Sequence, residues 1–341
     1  MSALSGEDES PNRKTIFVTG GSGYVGRNLI RRFVADGHIV HALARSESSA
    51  AAVAALGAIA RSGDMLNLSS LADAMTGCDV LVHAAADTRH GAYEAGQDEA
   101  NLHGAHNVFA VARSAGIDRA IHISTEAVLL TGAPLINADE TMPIPKRHAG
   151  SYSRSKAMAE REALSFNSDI MDVIVVRPRF VWGRDDTTAL PQLIEAAQTG
   201  KLVWIGGGKY LTSTTHIDNL AEGVTLALSK GRGGEVYFIT DGAPHVFRDF
   251  VSVLLTEAGQ VPPTKSVPRW LIKIVVALGD KAENWTRGRV KAPLPTQQYA
   301  TVGVEVTLSG DKAMRELGYR PIVGLEAGLG TLASVNARSA V

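Results

Sequence analysis

Tyr152 and Lys156 stand four residues apart in HAGSYSRSK, residues 148–156. On a helix, positions i and i+4 share a face. An ammonium beside a phenol favours the phenolate and draws a tyrosine pKa of about 10 toward working pH. A tyrosine so placed can protonate a carbonyl oxygen or take the proton of an alcohol. On a plain solvated helix the same two residues would do nothing, so the reading depends on what the rest of the chain supplies.

A second group of residues can hold phosphate. TIFVTGGSGYVGRNLIRRF places Gly20, Gly23 and Gly26 between an apolar run and a helical one, with Tyr24 and Val25 in the same turn. Glycines there permit a tight turn, close backbone approach to a pyrophosphate and close helix–strand packing, and the helix N-terminus offers N–H donors and a favourable dipole. The spacing is G-x-x-G-x-x-G, which points to one branch of the dinucleotide-binding folds.

The ends of the next apolar runs carry further candidates. In HALARSES, Arg45 is followed by Ser46 where the second run ends. An acidic residue there binds the ribose 2′-hydroxyl of NAD, whereas an arginine accommodates the 2′-phosphate of NADP. Asp36 comes too early, so NADP(H) is favoured over NAD(H). After the third run, Asp64 and Met65 can bond the adenine amino group and flank its ring; the competing use of Asp64 is a loop or helix cap. HAAAD ends the fourth run in Ala84, Ala85 and Ala86, small enough for a cofactor to lie against the backbone. His83 before them is expected as a satisfied core histidine. IHISTEAVLL ends the fifth with Ser124, Thr125 and Glu126. A hydroxyl there points into the crevice outside the strand ends and can hold a substrate oxygen against Tyr152. No histidine pair has metal-ligand spacing, and no metal is assigned.

The elements that must position these residues alternate. Strands are expected over 15–20, 38–45, 58–64, 79–86, 119–125 and 171–178, with helices near 25–37, 50–56, 68–77 and 98–115 between them. Strands alternating with long helices mean βαβ units and a parallel sheet covered on both faces. After Pro178 glycine and proline become frequent and short helices mix with short strands; DKAMRELGYRP is expected as a terminal helix closed by Gly318. The chain therefore divides into a disordered lead-in over 1–13, a nucleotide-binding half over 14–178, and a mostly C-terminal substrate lobe over 179–341. The border is soft, with some chain crossing.

Gly20–Gly26, Ser124/Thr125, Tyr152 and Lys156, in that order, resemble the short-chain dehydrogenase/reductase superfamily. The length and RPRFVWGRDD resemble its extended class, and LPQLIEAAQTGKLVWIGGGKYLTSTTHIDNLAEGV its 3β-hydroxysteroid dehydrogenase-like and dihydroflavonol reductase-like groups of the epimerase/dehydratase type. The resemblance covers about 15–325 and implies a Rossmann-type doubly wound α/β fold. It implies that Tyr152 is the acid/base, that Lys156 lowers its pKa and binds the nicotinamide ribose, and that Thr125, with Ser124 as the neighbouring alternative, orients the substrate carbonyl. It further implies that Asn101 supports the proton relay and that Pro178 lines the nicotinamide face. Relatives acting on nucleotide sugars carry an arginine where this chain, counted back from HIDN, has Thr212, so a diphosphate would lose a charge-assisted clamp. Dehydratases carry acidic residues beside the threonine; here Glu126 is present but the next position is Ala127.

The expected function is an NADP-preferring interconversion of a secondary alcohol and a ketone on a fairly apolar substrate, sterol-like, phenolic or acyl. The alternatives are a nucleotide-sugar epimerase or dehydratase, and a cofactor-binding sensor that has lost turnover. Arg179, Trp182, Tyr210 and His216 are the candidates for walls of the substrate pocket. A net charge of −1 gives no electrostatic case for nucleic acid. The single Cys78 excludes an internal disulfide and suits a reducing cytoplasm. The polar N-terminus lacks the apolar run of a signal peptide. No stretch is long enough to span a bilayer, and WLIKIVVALGD, 270–280, is expected as a packed helix, with a lid or membrane-surface helix as the alternative. The sequence is compatible with a homodimer and does not fix the oligomeric state.

Overall fold

The computed structural model describes residues 13–89 and 96–339. The expected lead-in over 1–13 lies, Arg13 apart, outside the described residues. The first half alternates as its hydrophobic pattern requires. Strands β1 (Thr15–Thr19), β2 (Ile39–Ala44), β3 (Ile59–Ser62), β4 (Val80–His83) and β5 (Arg119–Ile123) are followed by helices α1 (Tyr24–Ala35), α2 (Glu47–Ala54), α3 (Leu68–Met75), α4 (Gly104–Ser114) and α5 (Ser151–Ser165). Strand β6 (Asp172–Pro178) follows α5. A seventh strand, β7 (Val236–Ile239), comes from beyond Pro178 and pairs with β6 in parallel. The order β7-β6-β5-β4-β1-β2-β3 is parallel throughout.

Both faces of this sheet are covered, which is why its strands read as near-continuous apolar runs. On one face Ile16, Val18, Val82, Ile121 and Val176 pack with Leu29 and Phe33 of α1 and with Leu220 and Val224 of helix Ile217–Lys230. On the other, Phe17, Leu81, Ala120 and Val173 pack with α3, α4 and Phe166.

Chain crossing goes further than strand β7. A small four-stranded sheet takes His245–Val246, Leu211–Thr212, Val306–Leu308 and Leu135–Ala138 in that order, so a strand from before residue 178 completes the C-terminal lobe. A cut at Pro178 would divide both sheets.

Two C-terminal expectations change. The residues expected as the terminal helix form only a short π-helical turn, Ala313–Leu317, closed by Gly318 at φ +70. The last helix is Leu325–Ser339. Helix Arg269–Trp285 packs along one face only: Val276, Gly279 and Glu283 are buried and Ile272 packs beside Val276, whereas Trp270, Leu278 and Trp285 are 66%, 63% and 87% exposed. Among the described residues no helix is long and apolar enough to cross a membrane.

Candidate active site

The turn after β1 is shaped by backbone contact. Gly20 has φ +70, and a Cβ on it would lie 2.6 Å from the Ala85 amide nitrogen. A Cβ on Gly26 would lie 2.1 Å from the Gly20 carbonyl oxygen, which accepts the Gly23 amide at 3.0 Å. Gly23 caps α1 without a side-chain hydrogen bond, so the first-turn N–H groups are left for a ligand. Ala84 and Ala85 cross directly over Gly20, with the Ala85 amide held by Thr19 Oγ1 at 3.3 Å, and Ala86 follows them in the chain. His83 is a core histidine, its Nδ1 bonded to that hydroxyl at 2.7 Å. This cradle, closed to a Cβ at Gly20 and Gly26 and opening on the first-turn amides of α1, fits the pyrophosphate of a dinucleotide.

Other cofactor candidates are placed less directly. Tyr24 is buried in the core and its hydroxyl has no partner among the described residues. Burial, then Asp186, Asp218 and Asp185, push its phenol well above the usual range. Val25 packs against the same core. Arg45 is exposed at the end of β2, and Ser46 caps α2, accepting from the Ser49 amide at 3.2 Å. Asp64 Oδ1 accepts from the Leu66 amide at 2.8 Å, the loop role weighed against adenine binding. Met65 packs its sulfur where a Cβ on Gly104 would come to 2.8 Å. Pro178 ends β6, buried, opposite Ile239.

Tyr152 and Lys156 lie on α5, and Thr125 lies just past β5. The Tyr152 hydroxyl is hydrogen-bonded to the Thr125 side chain. Asn101, in a π-helical turn that runs into α4, donates to Ser155 Oγ at 2.9 Å and accepts the Asp87 amide at 2.7 Å, tying the end of β4 to α5. The structure thus brings Thr125, Tyr152, Lys156 and Asn101 to one end of the sheet.

The electrostatics differ from the simple ammonium–phenol pair. Lys156 Nζ donates to the Ile123 carbonyl at 2.8 Å, and burial lowers it to about 8, opposed by Glu160. Tyr152 is moved upward, by burial and then by the Glu126 charge, with the Thr125 hydrogen bond acting the other way. Burial and the Glu126 charge hold Tyr152 toward its neutral phenol, while the Lys156 ammonium is tied to the Ile123 carbonyl. The i, i+4 spacing put both on one helix but did not reveal the carbonyl that holds the ammonium.

Glu126 and Arg179 form a buried ion pair. Glu126 Oε1 meets Arg179 Nη1 at 2.6 Å, with the two side chains 5% and 0% exposed. Thr125 Oγ1 donates to Glu126 Oε2 at 2.7 Å. Arg179 Nη2 donates to Thr212 Oγ1 at 3.0 Å and to the Thr301 carbonyl at 2.9 Å. The argument that Thr212 leaves its place without a cation is therefore corrected: Arg179 puts one there from another segment, but paired to Glu126.

Two of the buried polar residues were not anticipated. Glu160 accepts from Ser124 Oγ at 2.6 Å and from Arg177 Nε at 2.9 Å. Ser124 is thereby engaged away from Thr125. The available signal was an arginine inside the apolar strand DVIVVRP. The remaining pocket-wall candidates are engaged in packing. Trp182 Nε1 bonds Asp241 Oδ2 at 2.7 Å; His216 caps a helix through Nδ1 and meets Trp182 edge-on at 4.7 Å. Tyr210 bonds the Val302 carbonyl and stacks on Phe247 at 5.3 Å. Cys78 is buried, its thiol pushed up to about 11 by burial.

The model of the 3-beta hydroxysteroid dehydrogenase/isomerase family matches residues 17–269. The 4-hydroxy-2-methyl-3-oxo-4-farnesyl-3,4-dihydroquinoline-1-oxide ketoreductase of Stigmatella aurantiaca is 46% identical, covering 93% of this chain and 95% of its own. The 2-alkyl-3-oxoalkanoate reductase of Stenotrophomonas maltophilia is 32% identical, over 94% and 99%. A dTDP-glucose 4,6-dehydratase of Streptomyces venezuelae, solved with NAD, shares the fold at TM-score 0.71 and 24% identity, over 94% and 95%.

Proposed function

The chain belongs to the 3-beta hydroxysteroid dehydrogenase/isomerase family, and from that premise we propose that it is a nicotinamide-dependent oxidoreductase interconverting a ketone and a secondary alcohol on an apolar substrate. The observation that carries the reading is the gathering of Thr125, Tyr152, Lys156 and Asn101 at the end of the sheet where the glycine turn follows β1. The names of the two relatives, both reductases of ketones on prenyl- or alkyl-bearing molecules, support the substrate class.

Bound nicotinamide supplies or accepts the hydride. The chain's residues do the rest. Tyr152 gives its proton to the carbonyl oxygen in reduction and removes it in oxidation. Thr125 holds Tyr152 in place through its hydroxyl oxygen. Asn101 fixes the distance between α5 and the end of β4, and Lys156 presents a cation under the same crevice. We favour NADP(H) over NAD(H), because Arg45 stands exposed where the ribose discriminator sits. A reducing cytoplasm suits the single thiol.

Tyr152→Phe keeps the ring and removes the proton. With NADPH and a panel of 2-alkyl-3-oxo acids and prenylated aromatic ketones, the variant is expected to lose about 10²–10⁴ in rate, the range of one acid/base group, while still binding NADPH. Wild-type turnover by this variant would end the reading. Turnover of UDP- or dTDP-sugars, with none of the ketones, would favour the epimerase/dehydratase class. Arg45→Asp is expected to weaken NADPH binding about tenfold to a hundredfold, the worth of a charge-assisted contact. Equal affinity of the unaltered protein for NADPH and NADH would remove Arg45 from the site.

A further inference from the structure

We propose that the outer face of helix Arg269–Trp285 is a docking surface for an anionic phospholipid bilayer, with the helix lying along the headgroup layer. The inference goes beyond the reaction proposed above. Only its last step, delivery of an apolar substrate, rests on that reading.

The helix carries two apolar faces. One is used by the fold: Ile272, Val276 and Gly279, at i, i+4 and i+7, turn into the molecule together with Glu283. The other faces solvent. Trp270, Ile274 and Leu278 follow one another four residues apart, Trp285 extends the stripe, Leu271 and Val275 flank it, and all six are exposed. Residues at this spacing share one face of a helix. A single exposed apolar residue is ordinary, whereas a contiguous patch marks an interaction site. Tryptophan is the side chain that settles at headgroup level, with an apolar ring and a polar N–H.

The charges choose the occupant. Residues 264–295 hold seven lysines and arginines against two carboxylates, and both carboxylates are engaged within the protein. Asp280 Oδ1 accepts the Thr296 amide at 3.1 Å. The buried Glu283 accepts the Ala292 amide at 3.0 Å and pairs with Lys291 at 3.1 Å. Lys273 and Lys281 are exposed on the helix, and Arg287 and Arg289 just after it. Their stems can lie along apolar surface while the charged ends stay among headgroups. An apolar face edged by cations matches an anionic membrane surface: its side chains enter the boundary between headgroups and acyl chains, and its cations gain from the negative surface potential. A second copy of this chain matches poorly. A two-fold contact sets the same patch on both sides, which would bring these cations together with both carboxylates of the segment already engaged.

The inner face ties this surface to the active end of the molecule. Val276 and Ile272 pack in the apolar cluster that holds Ala127–Leu130, just past β5, and against which Tyr152 also packs. Arg269, at the start of the helix, lies over the Tyr210 ring at 5.2 Å. Docking therefore brings the end of the sheet that carries Thr125 and Tyr152 toward the lipid. An apolar substrate partitions into that lipid and would reach the crevice with little exposure to water.

The test needs neither substrate nor cofactor. The full-length protein is titrated with vesicles of mixed phosphatidylglycerol and phosphatidylcholine, and with vesicles of phosphatidylcholine alone. Binding is read by flotation and by tryptophan emission. Of the four tryptophans, Trp182 and Trp204 are buried and Trp270 and Trp285 exposed, so a blue shift, and quenching by lipid brominated on its acyl chains, reports this helix. Both signals are expected with the anionic vesicles, weakened by added salt, and binding to phosphatidylcholine alone is expected to be weaker. Trp270→Ser/Leu278→Ser alters two exposed positions and is expected to lose about tenfold or more in vesicle affinity, with circular dichroism unchanged. Lys273→Gln/Lys281→Gln is expected to lose about tenfold or more on the anionic vesicles only. Ile170→Ser, at an exposed apolar residue just before β6 and so at the opposite end of the sheet, should bind as the parent does. The proposal is overturned by no binding to the anionic vesicles, by equal binding to both vesicle types, or by binding that Trp270→Ser/Leu278→Ser leaves unchanged. Self-association of the parent that this double variant abolishes, seen by analytical ultracentrifugation, would give the face to a second copy instead. Failure of vesicle binding leaves the reductase reading standing, and a failed rate test on Tyr152→Phe leaves the docking surface standing.

Discussion

The glycine turn at 20–26 and the ion-pair cluster around Glu126 lie at the same end of the sheet and are built by opposite means. In the turn every decisive contact is backbone on backbone: a Cβ on Gly26 would strike the Gly20 carbonyl, and one on Gly20 would strike Ala84 and Ala85. In the cluster side chain meets side chain, joining Thr125, Glu126, Arg179 and Thr212 across three segments, with the Thr301 carbonyl as a further acceptor for Arg179. At Gly20 and Gly26 the turn tolerates only the smallest residue. The cluster tolerates only complementary charge. A ligand cradle can thus be encoded by four glycines within seven residues, whereas a buried ion-pair cluster needs partners far apart in the chain.

The comparison can be broken first at its most costly point. Arg179→Ala leaves the Glu126 carboxylate buried without its cation, and breaking a buried pair in this way costs about 3–5 kcal/mol. Denaturant unfolding should register that loss. Restoration of most of it by Glu126→Gln in the same chain would mark the lone charge, rather than lost packing, as its source. A variant as stable as the parent would show that the pair is not a unit.

Steric closure of the turn gives the next effect. Gly26→Ala forces a methyl group into the Gly20 carbonyl and is expected to cost about 1–3 kcal/mol, as overpacking does, together with loss of dinucleotide affinity. Gly37 is the control. It has φ +86 but open space around its Cβ position, so Gly37→Ala should carry only the left-handed penalty of about 1–2 kcal/mol and leave cofactor affinity unchanged. Equal loss of affinity in both variants would mean that the turn is sensitive to stability in general and not to backbone approach.

The smallest effect lies on helix Arg269–Trp285. Leu278 is exposed and outside both regions, and Leu278→Lys should stay within about 0.5 kcal/mol of the parent in unfolding free energy. A loss of several times that would show that this face is covered in solution, which analytical ultracentrifugation of the parent would confirm as self-association.

Much of the fold and part of the site were legible in the sequence, and the boundary between legible and hidden is physical. Alternating apolar runs and helical segments dictated a parallel sheet covered on both faces, because a strand buried on both sides must be apolar throughout. The three glycines announced the cradle, because local backbone geometry is encoded locally. Tyr152 and Lys156 shared a helix because their spacing matches its period. Long-range pairing was hidden. Nothing near Glu126 in the chain announces Arg179, and nothing near Thr212 announces the guanidinium that reaches it. Nor does VYFI, residues 236–239, show that it will leave the C-terminal half to complete the main sheet. Nor does the sequence show that Trp182 and Tyr210, candidates for pocket walls, are each held by a hydrogen bond to a distant segment, at Asp241 and at the Val302 carbonyl. The sequence by itself determined which residues stand at the strand ends. Only the tertiary structure decided which partners their side chains meet, because Glu126, Arg179 and Thr212 come from separate segments that the fold brings together.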